Sequence, residues 1–155
     1  MEQIVSQIHK SLLKTQKTIA VAESCTGGLL SQLLTSNAGS SDYFMFGAVT
    51  YSNRSKETVL GIPRGTIEKN GAVSKIVAQK MARAVRRLAK TDFGVGITGI
   101  AGPSGGTAVK PVGTVFIAID AKNKKVCEKF IFQGNRQSIR QQAALKALGL
   151  LKILI

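Results

Sequence analysis

Lys17-Thr-Ile-Ala-Val-Ala-Glu23, then Ser24-Cys25-Thr26-Gly27-Gly28, then Leu29-Leu-Ser-Gln-Leu-Leu-Thr-Ser36 follow one another without a break. The first run is short and mostly apolar, which reads as a buried strand. The second puts two glycines behind three small side chains, which reads as a turn. The third reads as a helix. A strand passing through a tight turn into a helix belongs to an α/β layered domain. At such a turn a serine is lifted out of the sheet edge, and the amides of the turn and the helix N-terminus can face a developing oxyanion. Gly27 and Gly28 would let a substrate approach the backbone closely. Ser24 is therefore a candidate nucleophile. The plainer reading is an ordinary helix cap made by Ser24 or Thr26.

Outward from this stretch the pattern repeats. Met1 to about Lys14 is predicted as a helix, with Ile4, Ile8 and Leu12 on one stripe. Met45–Tyr51 is a second strand. Ser52 or Asn53 can cap a helix over Arg54–Leu60, which Gly61 and Pro63 close. Arg64–Lys69 forms a further short helix. Ser74 caps a helix over Lys75–Lys90, with Ile76, Val77, Met81, Ala84, Val85 and Leu88 along its apolar side. Phe93–Thr98 is a strand and Gly99–Val109 a glycine-rich loop. Val112–Asp120 and Val126–Phe132 are strands joined as a hairpin. Ser138–Ile155 closes the chain as a helix. No internal repeat or linker interrupts it, so one α/β domain with a mixed sheet is expected over residues 1–155.

The totals narrow the chemistry. A chain of 155 residues, 44% of them hydrophobic, can bury a core without disulfides or metals. Its two cysteines, Cys25 and Cys127, have no CxxC spacing, and the single histidine, His9, lies in the first amphipathic run. No metal site and no histidine-based triad are expected from that inventory. No apolar stretch is long enough for a membrane span, and the N-terminus lacks a signal-peptide core, so a cytoplasmic protein is expected. The net charge of +14 attracts anions. It is scattered over the chain, which fits a solvated basic surface.

A serine nucleophile without histidine needs a lysine or a carboxylate as base. Tyr51-Ser52-Asn53-Arg54-Ser55-Lys56 supplies Lys56 in the first turn of a predicted helix. The helix dipole and the neighbouring Arg54 both disfavour an ammonium there. Burial would have to supply most of the fall from ~10.4 towards the ~7–8 of a working base. Cys25, the rival nucleophile, has no neighbour to activate it and is expected to pack. A third segment, Thr98-Gly99-Ile100-Ala101-Gly102-Pro103-Ser104-Gly105-Gly106, follows a strand and so lies at the carboxyl edge of the sheet, where α/β ligands bind. Gly94, Gly96 and Gly99 with Asp120 imitate a dinucleotide fingerprint. Two of those glycines fall inside the strand, and Pro103 stands where the helix should start, so that fold is rejected. Ser11 and Lys14 match an SxxK spacing only by chance, mid-helix. Arg136 and Arg140 open the last helix and either bind a phosphate or lie exposed.

Taken in order, AESCTGG at 22–28, GSS at 39–41, VTYSN..K at 49–56, GAVS at 71–74, TGIAGP.GG at 98–106 and KPVGTV at 110–115 resemble the nicotinamide-nucleotide amidohydrolase family, also called the CinA C-terminal domain family. The resemblance spans Thr18 to Leu148. It implies a three-layer α/β/α sandwich and hydrolysis of the carboxamide of nicotinamide mononucleotide to nicotinate mononucleotide and ammonia, with no cofactor. Carried over by motif, Ser24 is the nucleophile, Lys56 the base and Tyr51 their orienting hydroxyl. Cys25, Thr26, Gly27, Ser41, Thr98, Gly99, Ala101, Gly102 and Arg140 would line the substrate site. A homo-oligomer working on a small molecule is expected, without membrane or nucleic acid.

Two other readings remain open. The basic charge also suits a catalytically silent nucleotide- or nucleic-acid-binding module of the same fold, although no nucleic-acid motif is present. An amidase or esterase with another small substrate would use the same serine and lysine.

Overall fold

The computed structural model of the chain describes residues 2–155; Met1, where the first predicted helix begins, lies outside them. The described residues form six helices and five strands, in the order α1 (Glu2–Thr15), β1 (Ile19–Glu23), α2 (Leu29–Leu34), β2 (Phe44–Val49), α3 (Asn53–Leu60), α4 (Arg64–Asn70), α5 (Lys75–Ala89), β3 (Phe93–Gly99), β4 (Thr114–Ala121), β5 (Lys125–Ile131) and α6 (Arg136–Leu154). A single turn of 3-10 helix, Ser40–Asp42, precedes β2. The strands form one sheet in the order β2-β1-β3-β4-β5. β1 runs parallel to both β2 and β3, whereas β4 is antiparallel to both its neighbours. The expected mixed sheet is therefore present.

Side-chain size sorts the two faces. Ile19, Val21, Val95, Ile97, Val115, Ile117 and Ile119 point to one side and are covered by α1, α2 and α6. Ala20, Ala22 and Ala118 point to the other, towards α5. Gly94 and Gly96 share that second face and let α5 close on β3. A Cβ on Gly94 would run into the Ala82 carbonyl oxygen and stand 2.6 Å from Arg86 Cβ; one on Gly96 would meet the Ala78 carbonyl and stand 2.6 Å from Ala82 N. The fingerprint-like glycines are thus a helix-packing device. The result is an α/β/α sandwich in three layers.

Local hydrogen bonds move several predicted boundaries. β1 starts at Ile19 instead of Lys17, because Asp92 takes Lys17 Nζ at 3.1 Å and Thr18 N at 2.9 Å. α6 starts at Arg136 instead of Ser138, because Asn135 is the cap and accepts from Ser138 N at 2.9 Å. Ser52 and Ser74 cap α3 and α5 as expected. None of the described helices is long and apolar enough to cross a membrane.

The connections leaving β1 and β2 set the site. After β1 the chain turns at Ser24 into α2, on one face. It returns through β2 to α3, α4 and α5 on the opposite face before entering β3. Neighbouring parallel strands whose connections go to opposite faces leave a crevice at their carboxyl ends.

Candidate active site

The turn after β1 is held by a carboxylate. Glu23, fully buried, accepts from Gly28 N (3.1 Å), Leu30 N (3.0 Å), Ser31 N (2.8 Å) and Ser31 Oγ (2.7 Å). Three of these donors are the free amides at the start of α2, so Glu23 does the capping that the sequence suggested for Ser24 or Thr26. Ser24 is released from that task. Its amide goes to the Ile97 carbonyl at 3.0 Å, tying the turn to β3. Gly27 (φ 61°) and Gly28 (φ 96°) both take left-handed conformations, which explains the glycine pair. The sequence contained the signal for Glu23, a carboxylate closing a buried strand five residues before Gly28, but only the fold reveals its partners.

Lys56 comes to this turn from α3, and it is only 1% exposed. Its Nζ lies 3.1 Å from Ser24 Oγ, 2.7 Å from the Thr50 carbonyl and 3.3 Å from the Tyr51 carbonyl. A neutral amine has two N–H groups and one lone pair. With the two carbonyls taking the N–H groups, the lone pair is left for the Ser24 hydroxyl. Burial pushes the Lys56 ammonium down from 10.5 to about 8, partly offset by Cys25. The cause is desolvation; Arg54, invoked from the sequence, is exposed. Cys25 is buried beside Ser24, and burial first of all pushes its thiol up to about 12. At neutral pH it is a thiol, a poor nucleophile.

The crevice beyond Ser24 is a cavity of about 280 Å³, open on one side. Cys25, Thr98, Gly99, Ala101 and Gly102 line it with Ser24, Tyr51 and Lys56. Thr98 Oγ1 donates to the Ala72 carbonyl at 2.9 Å, and Lys110 Nζ donates to the Val73 carbonyl at 2.7 Å. The Gly71–Ser74 and Lys110–Val115 motifs are therefore scaffolding that sets one wall. Among the described residues the amides of Cys25, Thr26, Ala101 and Gly102 have no acceptor, whereas those of Gly27, Gly28 and Ile100 are taken. Of these, Cys25, Ala101 and Gly102 line the cavity, and their amides are donors available to an oxyanion.

Four residues predicted to line the site, Thr26, Gly27, Ser41 and Arg140, are not in the wall of this cavity, Thr26 being fully buried behind it, and Tyr51 lines it without its predicted role. The Tyr51 hydroxyl does not touch the serine–lysine pair; it accepts from Arg136 Nη2 at 2.7 Å, and Tyr51 serves Lys56 through its main-chain carbonyl. Arg140 does not line the cavity. Its guanidinium clasps the Thr26 carbonyl at 2.8 and 3.2 Å and lies against Gly27 from behind. Arg136 is the cation at the cavity lip, bonded also to the Gly102 carbonyl at 2.8 Å. One helical turn decides between the two arginines, and the sequence could not choose. Ser41 lies before β2 begins, at the end of the sheet opposite Ser24, and is exposed. Among the described residues no cluster of three or more His, Cys, Asp or Glu side chains could hold a metal.

Comparison with known proteins agrees with this architecture. The profile of the CinA C-terminal domain family matches residues 1–155. A CinA-like protein of Leptospira biflexa is 51% identical over 151 residues, 97% of this chain and 36% of that protein. A putative competence-damage inducible protein of Thermoanaerobacter pseudethanolicus is 44% identical over 97% of this chain and 37% of its own length. The chain thus spans little more than a third of these relatives. Among solved structures, competence/damage inducible protein CihA from Agrobacterium tumefaciens superposes with a TM-score of 0.96 at 37% identity, covering 99% of this chain and 94% of that one.

Proposed function

We propose that this chain, which belongs to the CinA C-terminal domain family, hydrolyses the carboxamide of nicotinamide mononucleotide to nicotinate mononucleotide and ammonia, in the cytoplasm. The observation that carries the reading is the 3.1 Å contact between Lys56 Nζ and Ser24 Oγ, with Nζ buried and pinned by two carbonyls.

In the proposed path neutral Lys56 takes the Ser24 proton as Oγ attacks the carboxamide carbon. The carbonyl oxygen gathers negative charge, which the free amides of Cys25, Ala101 or Gly102 stabilise; one such donor is worth ~3 kcal/mol. The C–N bond breaks as the Lys56 ammonium gives its proton to the leaving nitrogen, and ammonia departs. Water, deprotonated by the same amine, then cleaves the Ser24 ester and restores the hydroxyl. Arg136, at the lip, holds the substrate phosphate as a charge-assisted pair.

The test is ammonia release from nicotinamide mononucleotide, wild type beside Ser24→Ala. Release that disappears in the variant supports the reading. Release that persists in Ser24→Ala but not in Cys25→Ala reverses the nucleophile. Binding of the mononucleotide without ammonia makes the chain a silent nucleotide-binding module. Release from unphosphorylated carboxamides at equal efficiency makes it a broader amidase.

A further inference from the structure

Gly94 and Gly96 draw α5 close on β3, but where the helix passes over β4 only small side chains meet, Ala82 from α5 and Ala118 from β4. A cavity of about 320 Å³ is left between α5 and the β4–β5 hairpin, larger than the one at Ser24. It lies towards the other end of the sheet. Asp120, in its wall, pairs with Gly94 at the start of β3, whereas Glu23, next to Ser24, pairs with Ile97 near the end.

The wall combines an open acceptor with an excess of cations. Asp120 is 4% exposed, and only half of its carboxylate is used. Oδ2 accepts from Arg86, whereas Oδ1 has no hydrogen-bond donor among the described residues and Lys125 Nζ stands 3.9 Å from it. A buried acceptor left open costs stability until something donates to it. Lys80, Arg83 and Lys125 line the same cavity and are exposed; among the described residues neither Lys80 nor Arg83 is in an ion pair.

An occupant that answers both features brings a donor to Asp120 and an anion to the basic residues. Four cations, counting Arg86, stand around one carboxylate, which suits a doubly charged phosphate better than a singly charged group. A ribose hydroxyl is the donor that an acidic side chain takes in nucleotide sites. The volume is that of a site for a small ligand.

We propose that the cavity between α5 and the β4–β5 hairpin binds a ribose phosphate, free or as a nucleoside monophosphate. A ribose hydroxyl donates to Asp120 Oδ1, and the phosphate lies against Lys80, Arg83 and Lys125. The site shares no lining residue with the Ser24 cavity and stands whether or not the chain is an amidase.

Titration calorimetry with adenosine monophosphate tests it. The wild type should bind it saturably. Arg136→Gln, which removes the phosphate contact proposed at the Ser24 cavity, should keep that binding. Arg83→Gln with Lys125→Gln, two exposed side chains, should weaken it at least tenfold. Gln79→Trp, an exposed side chain in the cavity wall, should fill the space and abolish it. Circular dichroism should show each variant folded. Adenosine, inorganic phosphate and 2′,3′-dideoxyadenosine monophosphate should each bind at least tenfold more weakly than adenosine monophosphate. Ribose 5-phosphate separates the two sources: equal affinity makes the sugar phosphate sufficient, and weaker binding gives the base a share. No saturable binding of either ribose phosphate would overturn the proposal. So would binding lost in Arg136→Gln but kept in the other variants, or inorganic phosphate or the dideoxy nucleotide binding as tightly as adenosine monophosphate.

Discussion

Lys56 and the row Lys80, Arg83 and Arg87 carry the same formal charge in opposite surroundings. The row lies on the outer side of α5, exposed, along a groove of about 720 Å³ between α5 and the α3–α4 connection. That groove is larger than the Ser24 cavity, yet no serine or cysteine lines it. Lys56 is sealed behind α3, one proton transfer from a serine. The row stands in water; the loss of water brings Lys56 to about 8. Twenty-two basic residues therefore reduce to one candidate base, because desolvation, not abundance, leaves an amine unprotonated near working pH.

This contrast can be broken at its strong end. Lys56→Ala and Ser24→Ala should each lower kcat by about 10³-fold or more in the ammonia assay. Lys56→Arg should be equally dead, because a guanidinium does not give up its proton at these pH values. An active arginine variant would mean that position 56 supplies charge and not a lone pair.

The pH profile is the next largest effect. Below about 8 the ammonium form of Lys56 dominates, so kcat/KM should fall about tenfold per pH unit and level off above 8. Stability carries the matching sign. The folded pKa is depressed from 10.5 to about 8, so the unfolded chain holds more protons across that window and stability rises with pH through it. The gain approaches about 3 kcal/mol. Thermal melts of wild type against Lys56→Met, at pH 7 and pH 10, isolate it: the wild type should gain relative to the variant.

Arg136 stands between the extremes, exposed yet anchored by Tyr51 and Gly102. Arg136→Gln should raise KM for the mononucleotide by about tenfold and leave the unphosphorylated nucleoside unaffected, a loss typical of one charged contact. Steady-state kinetics on both substrates check it. Smallest is the row itself. Lys80→Gln, Arg83→Gln and Arg87→Gln together should change kcat/KM by less than about twofold, since exposed charges at a distance are screened by salt.

Much of the fold was legible before any coordinates. The strand–turn–helix at 17–36, the serine caps of α3 and α5 and the hairpin near the end all follow local rules of periodicity and turn chemistry. The boundaries at Lys17 and Ser138 did not, because Asp92 and Asn135 act through hydrogen bonds that no periodicity records. In the site, Ser24 and Lys56 were nameable from residue type and setting. Glu23 as cap, Arg136 in place of Arg140, and the Tyr51 carbonyl in place of its hydroxyl were not. Each depends on where a side chain ends after the layers have packed.

The sequence by itself determined which groups were available: one histidine, an unactivated cysteine, a serine at a turn and a lysine early in a helix. It also set the layers, through branched residues on one sheet face and alanine or glycine on the other. Only the tertiary structure brought Lys56 across 32 positions to Ser24 and stripped it of water. That step is not local. It needs the carboxyl end of β1, the exit of β2 and the first turn of α3 in one place, and the resulting desolvation belongs to the assembled layers, not to any segment of the chain.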